Sequence, residues 1–138
     1  MKKFYLAALL AATSTIVHAA GEAITVYKDP NCGCCAAWID HLRESGYKVK
    51  SVNSDDMPAV KKRLGVPEKL ESCHTGVVDA SGQAIEGHVP AAAVAKLIAR
   101  PTVKGVAVPG MPANSPGMGK MDGNLVTVDF LGKQFSQD

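Results

Sequence analysis

Residues 24–46 read ITVYKDPNCGCCAAWIDHLRESG and contain three of the chain's four cysteines. The run at 24–28 is rich in residues that favour β-strands, and the Asp-Pro-Asn that follows it is typical of a turn. Further on, apolar residues recur at the i, i+3, i+4, i+7 spacing of an amphipathic helix, which Gly46 ends. These apolar residues are Cys35, Trp38, Ile39 and Leu42. The segment therefore predicts a strand, a turn and helix start that carry Cys32, Cys34 and Cys35, and a helix.

The next part of the chain continues the alternation of strands and helices. It predicts a strand at 47–52, a helix between Asp56 and Gly65 with Pro58 near its start, strands at 75–78 and 83–86 joined by a turn, and a third helix between Pro90 and Pro101. This order, with cysteines between the first strand and its helix, matches the plan of thioredoxin and glutaredoxin. We therefore predict an α/β fold, a thioredoxin/glutaredoxin-like three-layer domain.

Residues 101–124 differ from the preceding chain because they are rich in Pro and Gly, with methionines at the turns. Loops of this length in a compact domain are usually functional or disordered. The alternation of apolar and polar residues at 125–130 predicts a final strand. We accordingly divide the chain into residues 20–100, the thioredoxin-like domain with the cysteines, and residues 101–138, a Pro/Gly/Met-rich C-terminal extension with a loop and a terminal strand.

The N-terminus has the features of a secretory signal peptide. Lys2 and Lys3 precede an apolar run, and residues 17–19 offer a cleavage pattern of small residues. The apolar run is shorter than the ~20 residues of a membrane span, so export is favoured over a retained anchor. We predict that residues 1–19 are removed and that the mature protein lies in the periplasm, an oxidising compartment, without membrane attachment.

The balance of charge argues against a nucleic-acid partner. The chain has 15 Lys and Arg against 13 Asp and Glu, and the predicted cleavage removes two lysines, which leaves the mature chain neutral. No run of Lys and Arg alternates with aromatic residues, as nucleic-acid binding would require. We therefore predict no nucleic-acid partner.

The close spacing of Cys32, Cys34 and Cys35 argues against a structural disulfide framework. Any complete pairing of the four cysteines needs a bridge inside this group, and such a bridge removes little entropy from the unfolded chain. A Cys-x-x-Cys at a helix N-terminus stabilises a thiolate, which serves both in disulfide exchange and as a ligand for a soft metal. Cys34 favours the metal, because a disulfide oxidoreductase does not need a third thiol between the pair.

The fourth cysteine, Cys73, adds to the case for a metal. In the predicted fold it lies just before the third strand, in the loop that approaches the N-terminus of the first helix. Redox enzymes with the thioredoxin plan place a proline there, and none occurs between Pro67 and Pro90. We expect Cys73 to face the other three cysteines and to complete a set of four sulfur ligands. The alternative role is that of a small buried apolar residue.

The methionines distinguish between metals. Four thiolates suit zinc and copper(I) equally, whereas a thioether is a ligand for copper(I) and not for zinc. Met111 and Met118 lie on Pro/Gly-rich turns that can fold over the cysteines, with Met121 close behind. We therefore predict Met111 and Met118 as ligands or carriers of copper(I).

The histidines divide by position. His88 lies on the loop that leads into the third helix, beside the predicted site, and we predict a ligand or a supporting contact there. His74 follows Cys73, but neighbouring residues of a strand point to opposite faces, so a metal shared by both is not expected. His41 lies farther along the first helix, and we expect it at the solvated surface.

Four motifs together resemble those of the exported copper-resistance proteins of the CopG type. They are Asp-Pro-x-Cys-x-Cys-Cys at 29–35, Ser-Cys-His-Thr at 72–75, Glu-Gly-His-Val-Pro at 86–90, and Gly-Met-Pro…Ser-Pro-Gly-Met at 110–118. The resemblance implies a thioredoxin-like fold that holds a multinuclear copper cluster and acts in copper tolerance. It also implies a set of ligands, with thiolates from Cys32, Cys34, Cys35 and Cys73 and accessory positions at His88, Met111 and Met118.

The predicted function is that of a periplasmic copper-binding protein that holds copper(I) in a multinuclear cysteine-thiolate cluster and contributes to copper resistance. Redox cycling between copper(I) and copper(II), which would make the protein a copper oxidoreductase, is a second hypothesis. The expected partners are copper ions and other periplasmic copper-handling proteins. The alternatives are a thiol–disulfide oxidoreductase of thioredoxin-like fold and a structural zinc site.

Overall fold

The computed structural model describes residues 21–138, so the predicted signal peptide at 1–19 lies outside the described residues. The strands are β1 (Ala23–Lys28), β2 (Lys48–Asn53), β3 (His74–Val78), β4 (Ala84–Glu86), β5 (Gly105–Ala107), β6 (Val126–Asp129) and β7 (Gln134–Gln137). The helices are α1 (Gly33–Glu44), α2 (Met57–Arg63) and α3 (Ala91–Ile98), with a 3₁₀ turn at Glu68–Leu70. The strands and helices predicted between residues 24 and 100 are confirmed.

The seven strands form one mixed sheet in the order β2-β1-β3-β4-β5-β6-β7. β1 pairs with β2 in parallel and with β3 antiparallel, and β3 pairs with β4 as an antiparallel hairpin. β5 runs parallel to β4, and β6 and β7 continue antiparallel. The protein is thus a mixed α/β fold with a seven-stranded sheet and three α-helices. Within residues 21–138, none of these helices has the length and apolar content of a membrane span.

The local sequence explains how α1 and α2 form. α1 buries the apolar stripe that its spacing predicts, and the indole N–H of Trp38 donates to the carbonyl oxygen of Val89 at 2.8 Å. That bond ties α1 to the segment that leads into α3. α2 begins at Asp56, whose carboxylate accepts the backbone N–H of Ala59 at 3.0 Å, and Pro58 fits its first turn because that position needs no N–H donor.

One hydrophobic core joins the sheet to α1 and α3. Its fully buried side chains come from four strands and both helices, and include Ile24, Val26, Trp38, Leu42, Val78, Ile85, Val94, Leu97 and Val106. Burial of each large side chain of this kind contributes about 1.5–3 kcal/mol. Because β5 shares this core with β1, the C-terminal extension packs as part of the same body as the cysteine-bearing segment.

The extension has more regular structure than its composition predicts. Residues 101–124 were expected to be a loop throughout, but β5 lies within them, and all three of its residues are buried. The predicted final strand is confirmed as β6, whereas β7 was not predicted. β5 is too short to show alternation, and a strand covered by neighbours loses the alternation of a half-exposed one. Gly105 also permits close packing, because a Cβ there would lie 2.5 Å from the ring of Phe130.

Candidate metal centre

The antiparallel pairing of β1 with β3 brings the two cysteine-bearing segments together. The cysteine turn follows the C-terminal end of β1, and Cys73 precedes the N-terminal end of β3. Lys28 at the end of β1 lies opposite His74 at the start of β3. In an antiparallel pair such residues are close neighbours, so both segments leave the sheet at the same edge.

The pairing of β4 directs two more segments to this edge. Glu86, the last residue of β4, lies opposite Thr75 of β3, and it is also opposite Ala107, the last residue of the parallel strand β5. The loop with His88 and the Met-containing segment 108–124 therefore start where the cysteines lie. All four sequence motifs meet at one edge of the sheet.

The four cysteine sulfurs lie within 4.8 Å of one another. Cys32 Sγ is 3.6 Å from Cys34 Sγ, and Cys35 Sγ is 3.8 Å from the carbonyl oxygen of Cys73. Cys35 is buried and the other three are half-buried, so the group is reached from the surface without lying on it. A cluster of four sulfurs at these separations is able to bind metal ions.

Two of these sulfurs are joined in the structure. Cys32 and Cys35 form a disulfide at the N-terminus of α1, and Cys34 and Cys73 are free thiols. Four thiolates were expected, and a disulfide sulfur is not a thiolate ligand. Four thiolates can therefore be present together only in the reduced protein.

His88 lies directly beside Cys73. Its Nε2 is 3.2 Å from Cys73 Sγ, and its Nδ1 donates to the carbonyl oxygen of Pro116 at 2.8 Å. Since the carbonyl can only accept, this bond puts the proton of the neutral ring on Nδ1 and leaves the lone pair of Nε2 toward the sulfur. A backbone carbonyl on the far nitrogen is the usual support of a metal-binding histidine.

His74 also reaches Cys73, which the sequence did not predict. Its Nδ1 is 3.3 Å from Cys73 Sγ, and its buried Nε2 has no hydrogen-bond partner among the described residues. The ring packs against Trp38, with 4.3 Å between ring centroids. The expectation of opposite faces is wrong because Cys73 lies before β3 and not in it, so strand alternation does not apply. The one sequence feature that could have indicated this contact is that Cys73 and His74 are adjacent at the very start of the strand.

Burial sets the protonation of these groups. It raises the pKa of the Cys73 thiol to about 11, with a further contribution from Cys34. Burial and the neighbouring His88 lower the pKa of His74 to about 3, and burial lowers the pKa of His88 as well. At neutral pH the thiol carries its proton and both imidazoles are neutral. The imidazoles are thus in the form that binds metals, whereas metal binding by Cys73 must release a proton.

The Met-containing segment is attached to the site at two points. The Ser72 hydroxyl donates to the carbonyl oxygen of Gly110 at 2.6 Å, and Pro116 accepts from His88. Gly117, with φ of +87°, packs closely against the first turn of α1. A Cβ there would lie 2.8 Å from the backbone nitrogen of Trp38 and 3.0 Å from the backbone oxygen of Cys34. Gly110 directly precedes Met111, and Pro116 and Gly117 are the two residues before Met118. The backbone is therefore attached to the site close to both predicted methionine ligands.

The predicted methionines differ in exposure. Met111 is 55% exposed and Met118 is 39% exposed, while Met121 is half-buried. Large apolar side chains with this exposure contribute little to the core. Their role as copper ligands stays a prediction.

His41 is not the solvated residue that was expected. It is half-buried, and its Nε2 accepts the backbone N–H of Ala91 at the start of α3 at 3.1 Å. Burial lowers its pKa. The residue links α1 to α3 and takes no part in the metal centre, an arrangement that the helical spacing alone does not reveal.

Comparison with known proteins identifies relatives of the chain. Residues 70–118 match the family described as "Protein of unknown function, DUF411". Among curated proteins, none matches the chain. Two solved structures of copper resistance protein CopG, designated Form 1 and Form 2, are each 47% identical to this chain. Each alignment covers 86% of this chain and 98% of the CopG chain, with a TM-score of 0.75. The chain therefore belongs to the copper resistance protein CopG family, as its four motifs predicted.

Proposed function

We propose that this protein binds copper and contributes to copper resistance by holding copper(I) in a multinuclear cysteine-thiolate cluster. The observation that carries the proposal is the approach of four sulfurs to within 4.8 Å of one another. The proposed ligands are Cys32, Cys34, Cys35, Cys73, His88, Met111 and Met118. Thiolates can bridge two ions, and a group this compact suits a cluster better than separated single-ion sites.

The donor set supports copper(I) over zinc. Soft thiolate and thioether ligands select copper(I), whereas zinc does not use thioethers. Exposed Met111 and Met118 follow backbone that is attached to the site, so they are placed to bring a soft ion from the surface to the sulfurs. A structural zinc site would have no use for either methionine.

Copper binding in this proposal begins with reduction of the Cys32–Cys35 disulfide. The reduced dithiol can also reduce copper(II), which is one direction of the proposed redox cycling. Two copper(II) ions each accept one electron from the two thiols, which release two protons and join as the disulfide, and two copper(I) ions result. Cys34 and Cys73 remain as thiols beside that disulfide and can retain copper(I). An external thiol must then reduce the disulfide before another cycle.

The fold and location of the protein form part of the proposal. We interpret the core as thioredoxin-like, which the order β1–α1–β2–α2–β3–β4–α3 and the cysteines between β1 and α1 support. Export to the periplasm rests on residues 1–19. Mass spectrometry of the protein from a periplasmic extract tests it, since a chain beginning at Ala20 is expected and an intact N-terminus contradicts export.

A thiol–disulfide oxidoreductase is the second candidate, and the Cys32–Cys35 disulfide favours it. A helix N-terminus stabilises the thiolate that forms when such a bond opens. The surroundings favour copper, because Cys34 Sγ lies 3.6 Å from Cys32 Sγ and would interfere with a simple exchange pair. This candidate predicts that Cys34→Ser retains disulfide exchange on a test substrate and that the purified protein carries no metal.

Anaerobic copper(I) titration of the fully reduced protein tests the proposal. Wild type is expected to bind several copper(I) ions against a chromophoric chelator, and Cys34→Ser fewer, because a bridging thiolate is lost. Ala36→Ser is the matched control, since it places a hydroxyl at an exposed position of the same helical turn. Preference for zinc over copper(I), or equal copper stoichiometry in wild type and Cys34→Ser, contradicts the proposal.

A further inference from the structure

A buried polar network lies beneath Cys73. The carboxylate of Glu86, which has no solvent exposure, accepts the backbone N–H of Ser72 at 2.6 Å and the hydroxyl of Thr75 at 2.6 Å. Lys61 of α2 forms an ion pair with the same carboxylate and donates to Thr75 Oγ1 at 3.1 Å. Both charged side chains are at least nine-tenths buried. Three separate elements, α2, β3 and β4, thus converge on the segment that carries Cys73.

Stability alone does not account for this network. The desolvation of two buried charges offsets much of their attraction, and apolar side chains of similar volume often replace such a pair without loss of stability. The carboxylate, however, does something that an apolar side chain cannot do. It accepts a backbone N–H from the residue directly before a predicted metal ligand.

The contacts of Glu86 lie on both sides of the Cys73–His74 pair. One carboxylate oxygen contacts Ser72 and the other contacts Thr75. The backbone between them is also held by the N–H of Gly87, which donates to the carbonyl oxygen of His74 at 3.1 Å. Gly87 has φ of +72°, and a Cβ there would lie 2.8 Å from the Cβ of Ser72, so the two segments approach as closely as glycine permits.

This support matters because Cys73 itself lies outside β3 and has no register in the sheet. Its sulfur is nevertheless 3.2 Å from His88 Nε2 and within 4.8 Å of three other sulfurs. We propose that Lys61 and Glu86 are positioning residues for the metal centre. Glu86 holds the backbone N–H of Ser72 before the Cys73–His74 pair and the side chain of Thr75 after it, and Lys61 holds the carboxylate in place by compensating its charge. The inference rests on the copper(I) binding proposed above.

Two double variants separate positioning from charge. Lys61→Met with Glu86→Leu removes the acceptor of the Ser72 N–H, whereas Lys61→Met with Glu86→Gln retains a carbonyl oxygen there. Neither leaves a buried ion. Gln83→Met is the control, since Gln83 is a buried polar residue just before β4, at its opposite end. Copper(I) affinity is measured by chelator competition, and hydrogen exchange of the Ser72 amide is measured by NMR in copper-free reduced protein.

The Leu double variant is expected to bind copper(I) about 10–100-fold more weakly than wild type, the usual effect of losing a residue that supports a metal ligand. The Gln double variant is expected to recover most of that affinity. Exchange of the Ser72 amide is expected to accelerate in the Leu variant more than in the Gln variant. Gln83→Met is expected to lower Tm and to leave copper(I) affinity at the wild-type value.

Wild-type affinity in the Leu double variant overturns the inference, and so do equal losses in the Leu and Gln variants, which would assign the effect to charge. If the Leu variant does not fold, Glu86→Asp keeps the charge but withdraws the acceptor from Ser72, and wild-type affinity in Glu86→Asp is then the contradicting result. If wild type binds no copper(I), the proposed function fails, while the Ser72 exchange rates still test positioning.

Discussion

The two ends of β4 carry buried polar side chains with opposite tasks. Before β4, the Gln83 amide donates to the carbonyl oxygens of Leu97, Arg100 and Val103 at 3.0, 3.0 and 2.8 Å. At the other end, the Glu86 carboxylate accepts from the elements that surround Cys73. Gln83 links the C-terminal end of α3 to the turn that follows, because Leu97 belongs to α3 while Arg100 and Val103 lie beyond it. Glu86 contacts the segment that carries Cys73, whose sulfur lies beside two imidazoles and three other sulfurs.

The difference between the ends lies in what remains unpaired. The two N–H groups of the Gln83 amide are shared among three carbonyls, two of which also accept backbone N–H groups, and Gln83 Oε1 accepts from the Ser81 hydroxyl at 2.9 Å. At the Glu86 end, the free thiol of Cys73 lies close to two neutral imidazoles and to the free thiol of Cys34, and His74 Nε2 has no partner within residues 21–138. A buried polar atom without a partner costs roughly 1–3 kcal/mol, so the Glu86 end is less fully hydrogen-bonded than the Gln83 end. Because the Glu86 end gathers the free thiols and neutral imidazoles of the proposed metal centre, we refer to it as the binding end and to the Gln83 end as the structural end.

Cys73→Ser is expected to have the largest effect, and it acts at the binding end. Loss of this thiolate should weaken copper(I) binding by more than about 100-fold, beyond the loss typical of supporting residues. The free energy of unfolding of the copper-free protein should change by less than about 1 kcal/mol, because a half-buried thiol is replaced by a group of similar size. Chelator competition and urea unfolding check the two quantities. Wild-type copper(I) affinity would remove Cys73 from the ligand set.

Acid is expected to destabilise the copper-free protein through His74. Its pKa is about 3 in the folded chain against 6.5 in the unfolded chain, so the unfolded state binds the proton first as the pH falls. Stability is therefore retained above pH 6.5 and lost between pH 6.5 and 3, by roughly 2–3 kcal/mol between pH 7 and 4.5. His74→Phe keeps a ring against Trp38 and should lose less stability over this range. The free energy of unfolding of both proteins is measured at pH 7 and at pH 4.5. An equal loss of stability in wild type and His74→Phe would contradict the assignment.

Gln83→Met is expected to act at the structural end alone. Removing an amide whose two N–H groups both make hydrogen bonds should lower the free energy of unfolding by about 2 kcal/mol, since each bond contributes about 1 kcal/mol. Urea unfolding measures this loss at neutral pH. The comparison of the two ends is weakened if Gln83→Met changes copper(I) stoichiometry, or if the loss of stability is no larger than that of an exposed variant such as Ser81→Ala.

Met111→Leu and Met118→Leu are expected to have the smallest effects. Leucine keeps the apolar volume and removes the sulfur, so copper(I) affinity should fall by about three- to tenfold in each, at or below the lower end of the roughly 10–100-fold losses seen for residues that support a metal ligand. Zinc affinity should be the same as in wild type, because zinc does not use thioethers. Met121→Leu is the matched control outside the matched motifs. Wild-type copper(I) affinity in both Met111→Leu and Met118→Leu would exclude ligation by these two thioethers.

Most of the local structure was predictable from the chain. The spacing of Cys35, Trp38, Ile39 and Leu42 predicted the buried face of α1, and turn residues marked the β3–β4 hairpin correctly. The four motifs also predicted the family, and with it the group of residues that would meet. These features follow from neighbours in sequence, where side-chain periodicity and backbone preference are decisive.

Other features arose from contacts between distant segments. β5 and β7 are strands because neighbouring strands offer them hydrogen-bond partners, and no periodicity marks them. The proximity of His74 to Cys73 depends on where β3 begins, and His41 is half-buried because α3 packs against it. The sequence thus determined which chemical groups this protein carries and in what order, since those follow from residue identity. Their distances, their protonation and the support of Cys73 by Lys61 and Glu86 came from packing, because burial and pairing across the sheet exist only once the chain has folded.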